Sequence, residues 1–372
     1  MTRVILVLLI FLMIPQTGFA SVDTAGAICV MNTVTGEIIY SKNADEKRPM
    51  ASTTKIMTLI TALENSEPED IVTVSRDAAF EEGSSAYTKP GAKISMNDLC
   101  YGLMLNSGND AAVAIAEHIS SDVDKFVCLM NSTAKKIGVE NTSFKNPNGL
   151  HNDEHFTTAS DLAKITRYAL HNDEFCKIVS SRMYTSKMTL SDGNVTEVEY
   201  INHNKLLKDM EGCIGVKTGF TKNAGRCLVS AVDCDGMRYI IVTLNDSDDW
   251  NTHKTLYEAV IEAADKKTLV RAGDTIRHIS SDKSKCNLVA ESNFTISTNG
   301  GPNEFEMVNN IPKTINFSIN KGEKVGYIEI KLNGKAIGNV NIIADRDFET
   351  DKNADTTKCF GYVIINLLRN TV

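Results

Sequence analysis

The period of the hydrophobic pattern changes once along the chain, near Thr268, and this change constrains the fold more than any other feature. Before it, apolar stripes recur at i, i+3, i+4 and i+7; beyond it, apolar and polar residues alternate. The first pattern lays one face of a helix on a core and the second one face of a strand, so neither segment can replace the other. Two separately packed domains follow, and 372 residues suffice for both.

In the first part, Ser52 to Asn65 carries Ile56, Met57, Leu59, Ile60 and Leu63 at helical spacing, with a serine as a favourable first residue. This helix is expected to be buried. Further helices are predicted over 96–105, 109–119, 123–137, 160–170 and 250–264. Strand-like runs lie at both ends: AICVMN and EIIYS around Thr35-Gly36, then 226–232 and 238–243 around Asp235-Gly236. Strands at both ends with helices between predict an α/β (α+β) domain, its antiparallel sheet assembled from the two ends and covered by helices. In the second part, TINFSI, VGYIEIKL and AIGNVNII alternate, and the last two flank Asn333-Gly334, a strong hairpin signal. A small all-β domain is expected there.

The two ends read differently. Arg3 is the only charge in the first twenty residues, and the apolar run Val4 to Ile14 is about half the ~20 residues a membrane-spanning helix needs. Gly18-Phe19-Ala20 then supplies the small-x-small pattern of a signal-peptidase site, so cleavage after Ala20 is expected. No cysteine follows the cut, which excludes a lipoprotein. At the other end an acidic, polar stretch (345–358) precedes Phe360, Val363, Ile364, Leu367 and Leu368, an amphipathic stripe too short to cross a bilayer. It is expected to lie on a membrane surface, with docking on its own domain as the alternative. The expected organisation is a signal peptide over 1–20, a first domain over 21–267, a β-rich domain over 268–350, and a tether with terminal helix over 351–372.

Thirty-nine Lys and Arg against 47 Asp and Glu give a net charge of −8, a field that repels phosphate backbones and excludes nucleic acid as a partner. Nine cysteines is an odd number and no CxxC pair occurs, so neither a complete disulfide framework nor a zinc ribbon is indicated. Most are expected as small buried hydrophobes.

Three short motifs carry the chemistry. Ser52-Thr-Thr-Lys55 sets a hydroxyl and an amine three residues apart, on one face at the start of a helix, as a nucleophile beside a base. Ser107-Gly108-Asn109 lies in a break between two helices and offers a hydroxyl and an amide. Lys217-Thr218-Gly219, just before the strand from Arg226, offers an ammonium, a hydroxyl and a residue with no side chain to obstruct a ligand. Singly they are weak: Ser132 to Lys135, Ser280 to Lys283 and Ser318 to Lys321 repeat the first spacing, and Ser95 to Asn97 and Ser297 to Asn299 the second. His151, Asp153, Glu154 and His155 lack the H-E-x-x-H arrangement and read as a loop held by polar side chains. Thr158-x-x-Asp161 reads as a capping box opening the next helix.

Together and in this order, the three motifs are the set of penicillin-binding proteins and serine β-lactamases. The flanking sequences TGEIIYSKNADEKRPMASTTKIMT, LNSGNDAAVAIAEHI, NPNGLHNDEHFTTASDLAKI and GVKTGFTKNAGRCL resemble the low-molecular-mass penicillin-binding proteins that are serine D-Ala-D-Ala carboxypeptidases. The resemblance runs from the signal peptide to about Ala264, and a β-rich tail with an amphipathic end also fits. It implies a β-lactamase-like catalytic domain with a helical subdomain, and peptidoglycan stem peptides ending in D-Ala-D-Ala as substrate. It further implies inhibition by β-lactam antibiotics, with no cofactor and no metal.

The resemblance also implies residue roles. Ser52 attacks the penultimate D-Ala carbonyl to give an acyl-enzyme, which water then hydrolyses. Lys55 is the general base; lowering a lysine from ~10.4 to 7 or 8 disfavours its charge by roughly 3 to 5 kcal/mol, through burial, the helix N-terminus and Lys217. Ser107 relays the proton to the leaving amine, Asn109 holds a substrate amide, and Lys217 and Thr218 bind the terminal carboxylate, with Gly219 permitting close approach. The backbone amides of Ser52 and Phe220 form the oxyanion hole. Phe220 stands where some members carry His, which bears on pH dependence and deacylation rather than on the reaction. A β-lactamase, with Glu154 as the nearby loop carboxylate, and a penicillin sensor that stays acylated are the alternatives; a transpeptidase differs only in the acceptor.

Overall fold

The computed structural model describes residues 24–234, 237–262, 264–298, 305–332 and 334–350. The signal peptide and the terminal helix expected from the sequence lie outside these residues. The chain divides into two compact units after Glu262.

The first unit opens with β1 (Ala25–Asn32) and β2 (Ile38–Lys42), joined through Gly36 at φ 75°. A 3-10 turn (Ala51–Thr54) leads into α1 (Lys55–Asn65), followed by β3 (Ile71–Thr73), α2 (Arg76–Ala79) and β4 (Lys93–Ser95). Four helices follow, α3 (Met96–Leu105), α4 (Asn109–Ser120), α5 (Val123–Ile137) and α6 (Ala159–Ala169), then α7 (Asp173–Ser180). The hairpin β5 (Met183–Thr189) and β6 (Val195–Ile201), the short α8 (Leu206–Asp209), three strands β7 (Cys213–Thr221), β8 (Gly225–Cys234) and β9 (Met237–Asp246), and α9 (Asp249–Glu262) complete the unit.

The main sheet has the order β2-β1-β9-β8-β7, so strands from the two ends of the segment meet where β1 pairs antiparallel with β9, Val30 opposite Ile241. The expected assembly of the sheet is thus present, and β7 is its edge. A second sheet, β3-β4-β5-β6, belongs to the helical part. Its hairpin, β7 and α7 are absent from the elements expected above, although α7 buries Phe175, Ile178 and Val179 at helical spacing.

Helix α1 is buried from Lys55 to Ala62, so it runs through the core instead of lying upon it. Its start differs from expectation: Ser52 does not cap it, and the N-cap Thr54 makes no side-chain cap bond. Other helices carry side-chain caps. Ser95 accepts from the Asp98 amide ahead of α3, Asp122 from Lys125 ahead of α5, and Asn172 from Phe175 ahead of α7. Thr158 likewise accepts from the Asp161 amide, but the Asp161 carboxylate takes the Asn141 amide and Thr142 hydroxyl, so only half of the capping box forms.

The second unit has its own core, centred on Leu288, Ile328, Ile330, Ile342 and Phe348. It is all-β: β10 (Asp265–Val270), β11 (Thr275–Ser280), β12 (Lys285–Ala290), β13 (Phe294–Thr298), β14 (Phe305–Asn310), β15 (Lys324–Leu332) and β16 (Lys335–Ala344). The sheets are β11-β12-β16-β15-β14 and β10-β13. Leu332 pairs with Lys335 across the expected two-residue turn, whose Gly334 has φ 79°. TINFSI is not a strand. Ile315 and Ile319 are buried while Phe317 between them is exposed, so two anchors four residues apart hold an irregular segment.

Seven cysteines among the described residues are free thiols, and Cys29, Cys100, Cys227 and Cys286 are buried as expected, whereas Cys128 is exposed.

Candidate active site

Ser52 sits in the 3-10 turn just before α1, with Lys55 as the first residue of the helix proper. The turn is strained: Ala51, immediately before the nucleophile, has φ 48°, a left-handed conformation that costs a non-glycine residue roughly 1 to 3 kcal/mol and clusters at functional sites. Two things hold it. The Thr54 hydroxyl donates to the Ala51 carbonyl at 2.8 Å, and Gly149, at φ 89°, lies so close that a Cβ there would come within 2.1 Å of that carbonyl oxygen. Thr54 is fixed in turn by His155. The Nδ1 of His155 accepts from the Lys145 amide, so its Nε2 carries the proton and donates to the Thr54 hydroxyl at 2.7 Å. Burial lowers this imidazole to about 4, which keeps it neutral.

The Lys55 amine is completely buried, and burial holds it well below the ordinary lysine range, helped by Lys217 and opposed by Asp110 and Glu81. Its Nζ lies 2.7 Å from Asn109 Oδ1, 2.6 Å from the Asn148 carbonyl oxygen and 3.1 Å from Ser52 Oγ. A neutral amine has two hydrogens and one lone pair. In that form the two carbonyl-type oxygens, which can only accept, would take both hydrogens and leave the lone pair for the Ser52 hydroxyl. That is the arrangement of a general base.

Ser107, Gly108 and Asn109 form the entry to α4. Ser107 is buried with φ 58°, a second strained non-glycine residue. Asn109 spends its Oδ1 on Lys55 and one Nδ2 hydrogen on the Glu82 carbonyl at 2.6 Å, leaving one N–H for a substrate. It therefore orients the base as well as offering the amide that the motif suggests.

Lys217, Thr218 and Gly219 lie within β7, not in a turn before the next strand. Side chains alternate along a strand, so Lys217 and Gly219 share a face. Gly219 packs against the nucleophile: a Cβ there would stand 3.0 Å from the Ser52 amide nitrogen and 3.1 Å from that of Thr53. The absent side chain thus brings β7 onto the 3-10 turn. Lys217 is fully buried, donates to the Thr218 carbonyl at 2.9 Å, and is lowered by burial to about 7. Phe220 is 66% exposed and opposes Arg226 on β8, while the outer side of β7 has no partner in its sheet.

Sequence reasoning missed four residues that complete the site: Asn148, Asp110, Thr54 and Glu81. Asn148 lies inside NPNGL and Asp110 directly follows the second motif, so their positions were visible without their function. Asp110 is fully buried; its Oδ1 accepts from the Ala86 amide and its Oδ2 from the Ser85 hydroxyl and from the amide and hydroxyl of Thr88. It clamps 85–88 beside Ser107-Gly108-Asn109. Glu154, by contrast, is exposed and paired with Lys145 at 2.8 Å, and His151 contacts Asn223. Among the described residues, no three His, Cys, Asp or Glu side chains gather in a way that would hold a metal.

The site thus gathers a serine at a strained turn, a buried lysine held well below the ordinary range within reach of its hydroxyl, and a second buried lysine on the facing edge strand, the groups that nucleophilic catalysis by a serine would use. The family model for D-alanyl-D-alanine carboxypeptidases matches residues 16–248 and that for the penicillin-binding protein 5 C-terminal domain matches 265–350; the chain belongs to this family of serine peptidases. Similar proteins include the D-alanyl-D-alanine carboxypeptidases DacF of Bacillus subtilis, 30% identical over 85% of this chain and 83% of its own length, and DacC of Escherichia coli, 31% identical over 88% and 86%. Among solved structures, the Streptomyces K15 DD-transpeptidase aligns with TM-score 0.59 at 32% identity, covering 63% of this chain and 97% of that one. The DacD carboxypeptidase of Francisella tularensis aligns with TM-score 0.61 at 28% identity, covering 88% and 94%. The mixed α/β catalytic fold and the C-terminal β domain expected from the sequence are those of the family.

Proposed function

We propose that this protein is an exported D-alanyl-D-alanine carboxypeptidase working through a Ser52 acyl-enzyme that penicillins also form. Lys55 takes the Ser52 proton as Oγ adds to the penultimate D-Ala carbonyl, and the developing oxyanion is received by the Ser52 and Phe220 amides. Ser107 returns a proton to the departing D-Ala amine. The Lys217 ammonium and Thr218 hydroxyl hold the terminal carboxylate, Gly219 lets the peptide approach the edge of β7, and the remaining Asn109 N–H meets a substrate carbonyl. Water then hydrolyses the acyl-enzyme.

The observation that carries this reading is the Lys55 amine, buried and bonded to two acceptors and to Ser52 Oγ. It is tested by incubating the protein with diacetyl-L-Lys-D-Ala-D-Ala and measuring D-Ala release, with fluorescent penicillin labelling in parallel. Both should be lost together in Ser52→Ala; release that survives in that variant would sink the assignment. Similarity to a DD-transpeptidase supports a second outcome from the same intermediate, transfer to an amine. Adding a D-amino acid acceptor and measuring exchange product against free acid gives the ratio.

The organisation proposed with this activity is a signal peptide over 1–20, the carboxypeptidase domain from 21 to the unit boundary after Glu262, a few residues before the 267 expected from the sequence, the β-rich domain from there to 350 and a tether with an amphipathic helix over 351–372 resting on the membrane surface. A secreted form whose sequence begins at Ser21, and solubilisation on deleting residues from 356 onward, are the expected results. None of the helices among the described residues is long and apolar enough to cross a membrane.

A further inference from the structure

Glu81 lies just beyond α2 and touches neither Ser52 nor Lys55, yet it is joined to the base by a continuous path. Its Oε1 accepts from Asn148 Nδ2 at 2.7 Å, and the Asn148 carbonyl accepts from Lys55 Nζ at 2.6 Å. The third polar group of Asn148, Oδ1, accepts from the Leu150 amide at 3.0 Å. Asn148 is itself buried, so both ends of its side chain are fixed, one by the turn at 148–150 and the other by Glu81. Losing the Glu81 bond frees the residue whose backbone oxygen aims the base.

We infer that Glu81 is a positioning residue for catalysis, which holds Asn148 so that its carbonyl directs the Lys55 lone pair at Ser52 and whose negative charge raises the pH at which Lys55 becomes a base. This rests on the reading of Ser52 and Lys55 given above. The ionisable groups that face Lys55 are Lys217 from β7, Asp110 from α4, His155 from the loop before α6 and Glu81. His155 is neutral; Asp110 and Glu81 are the two anions that favour the ammonium, Asp110 the stronger. Asp110 is fixed by the bonds that clamp 85–88, whereas Glu81, its own carboxyl raised by burial, holds Asn148. Glu81 is half-buried and reaches Lys55 through one residue, so its charge bears on the amine with little solvent between them.

The sign follows from electrostatics. An anion near an amine favours the ammonium, so removing the Glu81 charge lowers the Lys55 pKa and frees the base at lower pH. The test measures kcat/KM for D-Ala release and the rate of penicillin acylation from pH 4 to 10 in the wild type, Glu81→Gln and Glu81→Ala, with Glu174→Gln on α7 as a control for net charge. In Glu81→Gln, which keeps an acceptor for Asn148, the acid limb of both profiles should move to lower pH by about half a unit while the plateau stays within about twofold. In Glu81→Ala the plateau should fall on the order of tenfold as Asn148 loses its anchor. An acid limb that stays in place in Glu81→Gln, or moves no further than in Glu174→Gln, overturns the inference even if Glu81→Ala is too unstable to assay. Failure of the underlying reading is distinct: it would appear as D-Ala release or penicillin labelling that persists in Ser52→Ala.

Discussion

The proposed mechanism needs two buried lysines in opposite protonation states, and their environments differ. Burial and Lys217 hold Lys55 well below the ordinary lysine range; Lys217 lies at about 7 and in that mechanism carries its proton to hold a carboxylate. The kcat/KM profile should therefore be bell-shaped, falling on the acid side as Lys55 gains a proton and above about 7 as Lys217 loses one. Because the two amines interact, the limbs belong to the pair, and a D-Ala release assay across pH reads them as such. A Lys55→Arg change keeps a permanent cation where a lone pair is needed and should reduce penicillin acylation by at least ~10³-fold, within the range that removal of a general base produces. Gly219→Ala tests a different contact. Its Cβ would stand 3.0 Å from the Ser52 amide, so the nucleophile turn or β7 must give way. Acylation should drop at least about tenfold with an unchanged circular dichroism spectrum, since well under an ångström of misplacement is costly at a reacting centre.

Among the elements, the segment that follows α2 depends on α4. Asp110, the second residue of that helix, accepts four hydrogen bonds from Ser85, Ala86 and Thr88, and Tyr200 on β6 donates to the Ala86 carbonyl at 3.1 Å. Asp110→Ala leaves buried donors without partners, each costing about 1 to 3 kcal/mol. Faster amide exchange over 81–92 and a raised KM with a smaller change in kcat are the expected outcomes, read by exchange mass spectrometry and steady-state kinetics. The elements also show where sequence patterning fails. Helices α3, α4 and α5 begin and end within a residue of expectation because their apolar stripes are continuous, with side-chain caps added at α3 and α5. Strand β7 was invisible because Lys217, Thr218 and Gly219 interrupt its alternation with residues suited to a ligand. The hairpin β5–β6 escaped because its inward stripe includes the polar Ser186 and Thr196 while the apolar Met183, Val195 and Ile201 face outward, so hydrophobicity does not follow burial.

At the level of the whole molecule, the two units have separate cores, and the buried histidines belong to the first. His253, fully enclosed by Ser230 at 2.5 Å and Thr243 at 3.0 Å, is lowered by burial to about 3, and His155 to about 4. Both remain neutral in the fold while free histidine takes a proton below 6.5, so the unfolded chain binds more protons in that window. Stability is thus complete above about 6.5 and declines as pH falls, by about 1.4 kcal/mol per pH unit for each histidine until its folded value is reached. Calorimetry between pH 7 and 4.5 should show the melting of the first unit moving down with acid, and His253→Gln should weaken that dependence while lowering the melting point at pH 7.

The sequence by itself determined the division into two folds, since hydrophobic period is a local property that each segment carries. It also singled out Ser52, Lys55, Ser107, Asn109, Lys217, Thr218 and Gly219 as candidates, because the proposed chemistry requires those side chains in that order. Only the tertiary structure decided what surrounds them. The direction of the Lys55 lone pair depends on a carbonyl from Asn148, 93 residues away, and on an amide from Asn109, 54 residues away. The nucleophile turn is held by His155, 101 residues from its partner Thr54. Contacts at such separations leave no periodicity in the chain, and burial, which turns a lysine from a cation into a base, exists only once the core has closed around it.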